Sequence, residues 1–521
     1  MNDARLQAEN ELLREELKRK DARIAQLEES HRLLEQRLNQ VLRMLYGRKS
    51  EKIQDGQLEL ALGMAAPAPV IPENLTPAPV PPPELKVRRK RGRRVIPDDL
   101  PEVVQVHDLP AEEKTCEHCG QEMVLIGADE AVKIGYEPAR LHKLVHRQLK
   151  YACKCEHCAQ SGIGVHTAPR PTEAVPGCIA DASLMAHIIV AKTRDHLPLN
   201  RLSEQFSRLG WGASRATLCN IYLNAARAVE PLYECLKESV LACPVIHHDD
   251  TPVRERQPGS GRCSLGRIWV TARALAPWHV VFDYTATRAK EGPLAFLAGF
   301  TGTMVADAFP GYNPLFSPDV CLRGGCWAHT RRYFYNAWKT GESMGMKMVI
   351  PIRALFHLER RADELQMNAE ERLAFRLEHA VPVVAEIRER LDDWKKPGGV
   401  LPRSLLGKAV TYADNQWRPL TLFLKDGRVP IHNNRAERML RPFAIGRKNW
   451  LFFGAASGGH AAAILHSLAA TCVLYSVNPE AYFDDILRRI MDHDQTRLGE
   501  LLPDQWQASR TAAKAAAVVG A

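Results

Sequence analysis

What this chain lacks narrows it first. No secretory signal is legible, because the N-terminus is charged and helix-like from its third residue, so export is not expected. No clean apolar run is long enough for a comfortable membrane span. The longest, around residues 461–477, is interrupted by His466 and Ser467, and a buried helix is the better expectation. Cysteine is sparse, 13 in 521 residues, and without an export signal it does not suggest a disulfide scaffold. Acids are missing from residues 86–94, KVRRKRGRR, which carry seven basic groups including Arg88, Arg89, Lys90 and Arg91. Such a run is usually a solvated arm whose commonest partner is nucleic acid. Residues 65–84 lack apolar periodicity and are rich in alanine and proline, as an extended linker is. What remains is a cytoplasmic, nucleic-acid-facing protein with no membrane role, ordinary in its 45% hydrophobic content and +9 charge, and long enough for three or four domains.

Residues 3–46 read as one helix with a heptad seam. Leu6, Leu13, Leu27, Leu34 and Val41 recur at sevens with Lys20 in the remaining slot; Leu17, Ile24, Leu38 and Leu45 form the adjoining row with Asn10 and His31. The first row is d and the second a, and an asparagine at a costs stability but favours a parallel dimer in fixed register. The expectation is a homodimeric coiled coil; the alternative is an amphipathic helix packed on its own protein. Further along, residues 180–240 look helical. LNRLSEQFSRLG and RATLCNIYLNAA read as helix, tight turn, helix, with Ser214 as N-cap of the second. That is either a DNA-reading helix-turn-helix or two packed core helices.

A cysteine module spans residues 112–170. CEHC occurs twice, as Cys116–Cys119 and Cys155–Cys158. Two CxxC knuckles flanking a β-like segment have the form of a zinc ribbon, in which four thiolates close a tetrahedral structural Zn²⁺ site. Cys153 competes for one ligand place.

From residue 244 the character changes. PVIHH, RIWVTARAL, WHVVFDYT, GTMVADA and DVCLRGGCW are short apolar runs, with a helix-like RAKEGPLAFLAGF before the fourth. A mixed α/β domain is expected. Acids sit at its strand ends: Asp249 and Asp250 in VIHHDDTPV, and Asp307 in MVADAFPGY. Glu437, in HNNRAERMLRPFAIGRKNWLF, lies among Arg435, Arg438, Arg441, Arg447 and Lys448. Two aspartates and a glutamate converging on one point would hold two divalent ions, since Mg²⁺ or Mn²⁺ takes hard oxygen ligands. Bland readings stand beside this one. Asp249 or Asp250 would cap a turn, Asp307 would be a turn residue, and Asn434-x-x-Glu437 would be a capping box.

The strings HHDDTPV, ADAFPGYN, GCWAHTRRYF and NNRAERMLRPFAIGRKNWLFFG resemble the core motifs of the insertion sequence 66 family of bacterial DDE transposases. LYGRKSEK, KYAC, AKTRDHLPLNRL with SRATL, and NPEAYFDDIL are similar to that family outside the core, so the resemblance covers roughly residues 40–490. It implies a multidomain chain: coiled coil 3–46, linker and basic arm 65–94, zinc module 112–170, helical DNA-binding region 180–240, and a ribonuclease-H-like α/β catalytic domain 244–458. A helical insertion at about 340–425 and a C-terminal helical element at 459–491 complete it. It further implies Asp249, Asp307 and Glu437 as the catalytic triad, with Asp250 as the acidic neighbour and Cys326 and His329 of GCWAH in support. The basic residues around Glu437, with the 86–94 arm, would bind the backbone of double-stranded DNA. Small accessory proteins of the same element are possible partners. The implied activity is metal-dependent cleavage and strand transfer at transposon ends. The alternatives are a DNA-binding regulator with an inactive core, or a structure-specific nuclease or resolvase.

Overall fold

The computed structural model describes parts of residues 13–38, residue 104, residues 139–152, and residues 165–519 except 258. The basic arm 86–94 and the cysteines 116, 119, 153, 155 and 158 lie outside the described residues. Nearly all that is described belongs to one compact unit, built from residues 1–66 and 143–521.

Residues 13–24 are helical. Leu13, Leu17, Ile24, Leu27, Leu34 and Leu38, the described apolar positions of both rows of the heptad seam, are 54–63% exposed. A leucine seam uncovered by its own chain is what a coiled coil needs from a protomer. Beyond the N-terminal part, β1 (Lys150–Ala152) pairs antiparallel with β2 (Val165–Thr167).

Four helices follow: α1 (Ala182–Thr193), α2 (Leu199–Arg208), α3 (Arg215–Ala228) and α4 (Glu230–Leu241). Gly210, at φ +90°, follows α2 in the left-handed conformation common just past a helix end. Ser214 then caps α3, its hydroxyl accepting from the Thr217 amide at 3.0 Å. Leu218, Ile221, Tyr222, Ala225 and Ala226 bury one face of α3, while Arg215, Asn220 and Arg227 are exposed on the other.

Each of the five apolar runs beyond residue 244 forms a strand. They are β3 (Val245–Arg256), β4 (Cys263–Arg273), β5 (Val280–Thr285), β6 (Gly302–Val305) and β7 (Cys321–Gly324), with α5 (Glu291–Phe296) before β6. Their order in the sheet is β5-β4-β3-β6-β7. β3, β4 and β5 are antiparallel, whereas β6 and β7 run parallel to β3. β3 is therefore where the direction of winding changes. Its pairing with β6 stops at His247 opposite Val305, while its pairing with β4 continues to Arg256. Asp249 and Asp250 sit just past that stop, at the switch point where open α/β sheets place their ligands.

The rest of the unit is helical: α6 (Trp327–Lys339), α7 (Met344–Glu364), α8 (Ala369–Lys395), α9 (Leu405–Asn415), α10 (Trp417–Thr421), α11 (Asn434–Met439), α12 (Arg441–Trp450), α13 (Ala456–Leu474), α14 (Pro479–Arg489) and α15 (Pro503–Val519). Helices α7–α10 form the inserted region, packing with α6 around Trp327, Phe334, Ile352, Leu391 and Leu406. A second core lies between the antiparallel strands and α11–α13, through Ile268, Val270, Phe282, Ala436, Phe443 and Ala463.

The C-terminal element expected from residue 459 begins within α13, which packs on the sheet. Ser467 Oγ accepts from the Phe282 amide at 2.8 Å, and Ala462, Ala463 and Ala470 pack in the second core. That contact also explains the apolar run. Among the described residues α13 alone is long and apolar enough to cross a membrane, but 72% of it is buried in the fold.

Candidate active site

The three acids come from three places, and the charges of Asp307 and Glu437 act on Asp249. Asp249 and Asp250, expected at a strand end, lie inside the twelve-residue β3, because its pairing with β4 carries the strand on to Arg256. Successive strand residues face opposite sides of a sheet, so Asp249 and Asp250 part company. Asp250 has a side chain only 1% exposed and is held by two guanidinium groups. Arg267 Nη1 donates to its Oδ2 at 3.0 Å, and Arg288 Nη2 to its Oδ1 at 2.7 Å. Such a carboxylate is already neutralised. Asp249 has no such partner among the described residues; its Oδ1 accepts from the Asp250 amide at 2.8 Å. Burial, and then the negative charges of Asp307, Glu437 and Asp250, push its carboxyl up to about 7.

Asp307 follows β6. Its Oδ1 accepts from the Phe309 amide at 3.1 Å, which is the turn expected before FPGY, and its carbonyl accepts from Arg323 at 2.9 Å. Arg288, stacked over the Phe309 ring at 4.1 Å, also reaches Asp307 Oδ2 at 3.8 Å.

Glu437 is carried by α11, a helix of six residues, because Pro442 near the start of α12 has no amide to continue it. The expected capping box is absent. Asn433, not Asn434, is the N-cap, and its side chain makes no capping bond. It points into β3 instead. Asn433 Nδ2 donates to the His248 carbonyl at 2.9 Å, and Asn433 Oδ1 accepts from His247 Nδ1 at 3.1 Å. Burial lowers His247 to about 3, so the ring is neutral. Since Oδ1 can only accept, His247 carries its proton on Nδ1. Asn433 is fully buried, and its own amide donates to Cys326 Sγ at 3.2 Å. The helix bearing Glu437 is thereby fastened to the strand bearing Asp249.

Cys326 and His329 flank this junction. Cys326 is the N-cap of α6, and burial raises its thiol to about 11, so it is a neutral acceptor and no thiolate. Next to it the Trp327 amide donates to the Ile431 carbonyl at 2.9 Å. His329 Nε2 stands 3.5 Å from Glu437 Oε1, and Arg332 Nη2 stands 3.7 Å from Oε2. Oε1 is buried and accepts no hydrogen bond.

Among the described residues no three His, Cys, Asp or Glu side chains are gathered tightly enough to hold a metal ion. The donor chemistry nevertheless fits a divalent cation. The acids are hard oxygen ligands, burial and then the neighbouring acids raise Asp249, and one glutamate oxygen is buried and accepts no hydrogen bond. Arg288 lies against Asp307, and His329 and Arg332 against Glu437, at distances longer than a good hydrogen bond.

Residues 177–461 match the Transposase IS66 family. The chain belongs to that family. Flanking matches agree: residues 467–503 to the IS66 C-terminal element, 33–104 to the transposase C of IS166 homeodomain, and 113–156 to the zinc-finger binding domain of transposase IS66. The protein is thus a DNA transposase, a class that cuts DNA and transfers strands. Relatives include two uncharacterized proteins of Sinorhizobium fredii. The chain is 32% identical to y4hP, over 82% of itself and 79% of the relative, and 29% identical to y4jD, over 90% and 93%. The Drosophila P element transposase strand transfer complex is a structural neighbour at 11% identity and TM-score 0.30, covering 60% of this chain and 94% of that one.

The basic residues around Glu437 divide. In the transposase Arg438, Arg441 and Lys448 are exposed. Arg447 is not free for DNA in this arrangement, since its Nη1 donates to Thr251 Oγ1 at 2.9 Å and to the Pro252 carbonyl at 2.7 Å. Arg435 lies over the Trp278 ring at 4.1 Å, and burial lowers it to about 10. Both were expected on the DNA surface. A sequence shows charge but not whether a neighbouring carbonyl or indole has claimed it. Asn433 and Arg288 were missed. The Asn433–Asn434 doublet was a signal for the first, misread as a cap; nothing in the sequence marks the second.

Proposed function

We propose that the transposase cleaves and joins DNA at a ribonuclease-H-like centre formed by Asp249, Asp307 and Glu437, which hold divalent Mg²⁺ or Mn²⁺. The observation that carries this is the placement of Asp249. It lies on the switch strand just past the end of the β6 pairing, its carboxylate held by no guanidinium among the described residues, and close enough to Asp307 and Glu437 for their charges to act on it. The strand order β5-β4-β3-β6-β7, with three antiparallel and two parallel strands, supports the fold assignment. The acids lie on its switch strand, beyond the next strand, and on a following helix.

When bound, paired divalent ions activate the attacking oxygen and stabilise the leaving oxygen of an in-line displacement. The protein's own groups prepare that reaction. Asp249 gives up its proton to become a ligand. Asn433 and Cys326 keep Glu437 aimed at it. Arg288, His329 and Arg332 add positive charge beside Asp307 and Glu437. Arg438, Arg441 and Lys448 neutralise the backbone without reading sequence. Water attacks the phosphodiester at the transposon end, breaking its P–O3′ bond to free a 3′ hydroxyl and leave a 5′ phosphate on the flank. That hydroxyl then attacks a target phosphodiester, forming a new P–O3′ bond as the target's own 3′ oxygen leaves as a hydroxyl.

Reading of the ends falls to the zinc module and to the exposed side of α3, with the 86–94 arm. Structural Zn²⁺ would be held by Cys116 and Cys119 with two of Cys153, Cys155 and Cys158. The matched zinc-finger span contains the first two of those three and stops before Cys158. The exposed heptad seam supports a homodimer, which suits holding two ends together. The test is strand transfer by purified protein on the DNA flanking its own gene. Loss of both cleavage and joining is expected in Asp249→Asn, Asp307→Asn and Glu437→Gln. Full activity in all three variants would refute the centre, and cleavage without joining by the parent protein would favour a nuclease.

A further inference from the structure

Helix α6 runs from the candidate centre to an aromatic pair that the mechanism above does not use. His329 meets Glu437, and Tyr333 lies four residues on, one turn along the same helix face. The Tyr333 ring packs on Tyr412 of α9, with centroids 4.5 Å apart and planes inclined by 30°. Tyr333 is 44% exposed, and neither ring belongs to the core around α6, which Phe334, Tyr335 and Ala337 supply. Tyr412 is half-buried. Burial raises its phenol, with Arg323 opposing. Arg323 in turn donates to the Asp307 carbonyl at 2.9 Å. The pair thus joins α9 of the inserted helices to α6, the helix whose His329 stands at Glu437.

An exposed aromatic ring backed by a second ring, one helical turn from a nucleic-acid reaction centre, is suited to stacking a base. A duplex offers a protein its groove edges and phosphates; only an unpaired base offers its π face. We propose that Tyr333, backed by Tyr412, is a stacking ledge for an unpaired base next to the reacting phosphate, occupied when the transposon end is opened. This rests on Asp249, Asp307 and Glu437 being the reaction centre.

The test uses the full-length protein with Asp249→Asn, so that DNA is held without turnover. End DNA carries iodouracil at single positions across the cleavage junction, either fully paired or with the junction nucleotides unpaired. Irradiation is expected to crosslink one or two junction positions to Tyr333, more strongly in the unpaired DNA. The crosslink survives Tyr333→Phe and is lost in Tyr333→Ala. Affinity of Tyr333→Ala for the unpaired end falls about tenfold, or about 1.4 kcal/mol, while affinity for the paired end changes less than twofold. No crosslink to Tyr333 or Tyr412, or an equal loss on both DNAs, overturns the ledge. Cleavage retained by Asp307→Asn would instead overturn the centre on which it rests, and that is read separately from the crosslink.

Discussion

Replacing Asn433 tests how the site is held together. Its side chain makes two buried hydrogen bonds to β3, to the His248 carbonyl at 2.9 Å and with His247 Nδ1 at 3.1 Å. Asn433→Ala leaves a carbonyl and an imidazole N–H without partners, and each buried orphan costs about 1–3 kcal/mol. The total, about 2–6 kcal/mol, is large against the roughly 5–15 kcal/mol stability of a domain, so a folded protein with a clearly lower melting temperature is expected. Asn433→Asp keeps the shape but sets a carboxyl oxygen against the His248 carbonyl and adds negative charge near Asp249.

Stability alone would not distinguish a positioning residue from a packing one. Asn433 stands one turn before Glu437, whose amide donates to the Asn433 carbonyl at 3.3 Å, so releasing it frees a proposed ligand. Loss of such an outer partner weakens metal binding by about 10–100-fold. Mn²⁺ titration followed by electron paramagnetic resonance measures this below the melting temperature. Cys326→Ser keeps an acceptor for the Asn433 amide and is expected to bind Mn²⁺ within a few-fold of the parent, whereas Cys326→Ala falls toward Asn433→Ala. If Asn433→Ala melts early yet binds Mn²⁺ as the parent does, the positioning argument is wrong. If it melts normally, the two hydrogen bonds are not there to lose.

Three other expectations follow from the same geometry. Asp249, raised from 3.8 to about 7, binds its proton more tightly folded than unfolded. It therefore favours the metal-free fold below about pH 4, and that contribution, at most about 4 kcal/mol, is lost as pH rises through 7; denaturant melts across this range should be flatter in Asp249→Asn, and Mg²⁺ should restore stability mainly at the upper end. For zinc, metal analysis of single serine variants should show Cys116→Ser and Cys119→Ser losing the ion, and among Cys153, Cys155 and Cys158 one variant should keep it; retention by all five would end the zinc assignment. For assembly, Leu17→Asp with Leu27→Asp should turn a dimer into a monomer in sedimentation equilibrium, and an unchanged mass would remove the coiled coil from the interface.

Much of the fold was legible because it follows from periodicity. The five strands, the inserted helices and the turn before α3 are written in apolar spacing and in Gly210 and Ser214, which act on their own neighbours in the chain. Asp307 was legible for a similar reason: a strand end followed by FPGY determines where the carboxylate emerges. The packing of α13 on β5 was not, because an apolar run looks the same whether it packs on itself or on a sheet. Only the Ser467 hydroxyl bonded to the Phe282 amide shows which.

The site divides along the same line. Asp249 and Asp250 are adjacent and chemically alike, so no local rule ranks them. Their difference arises from the two guanidinium groups on Asp250, one from β4 and one from the loop after β5. Strand alternation sends the other carboxylate toward Asp307 and Glu437. Glu437 poses the reverse problem: its surroundings are basic in sequence, yet its nearest basic neighbours in space, His329 and Arg332, come from α6 and not from its own segment. Of its sequence neighbours, Arg447 is bonded to β3 and Arg435 is stacked on Trp278. The positive charge around the glutamate therefore has two distinct causes. Part of it fastens α11 and α12 to the sheet, and only the exposed part, Arg438, Arg441 and Lys448, is placed to meet a phosphate.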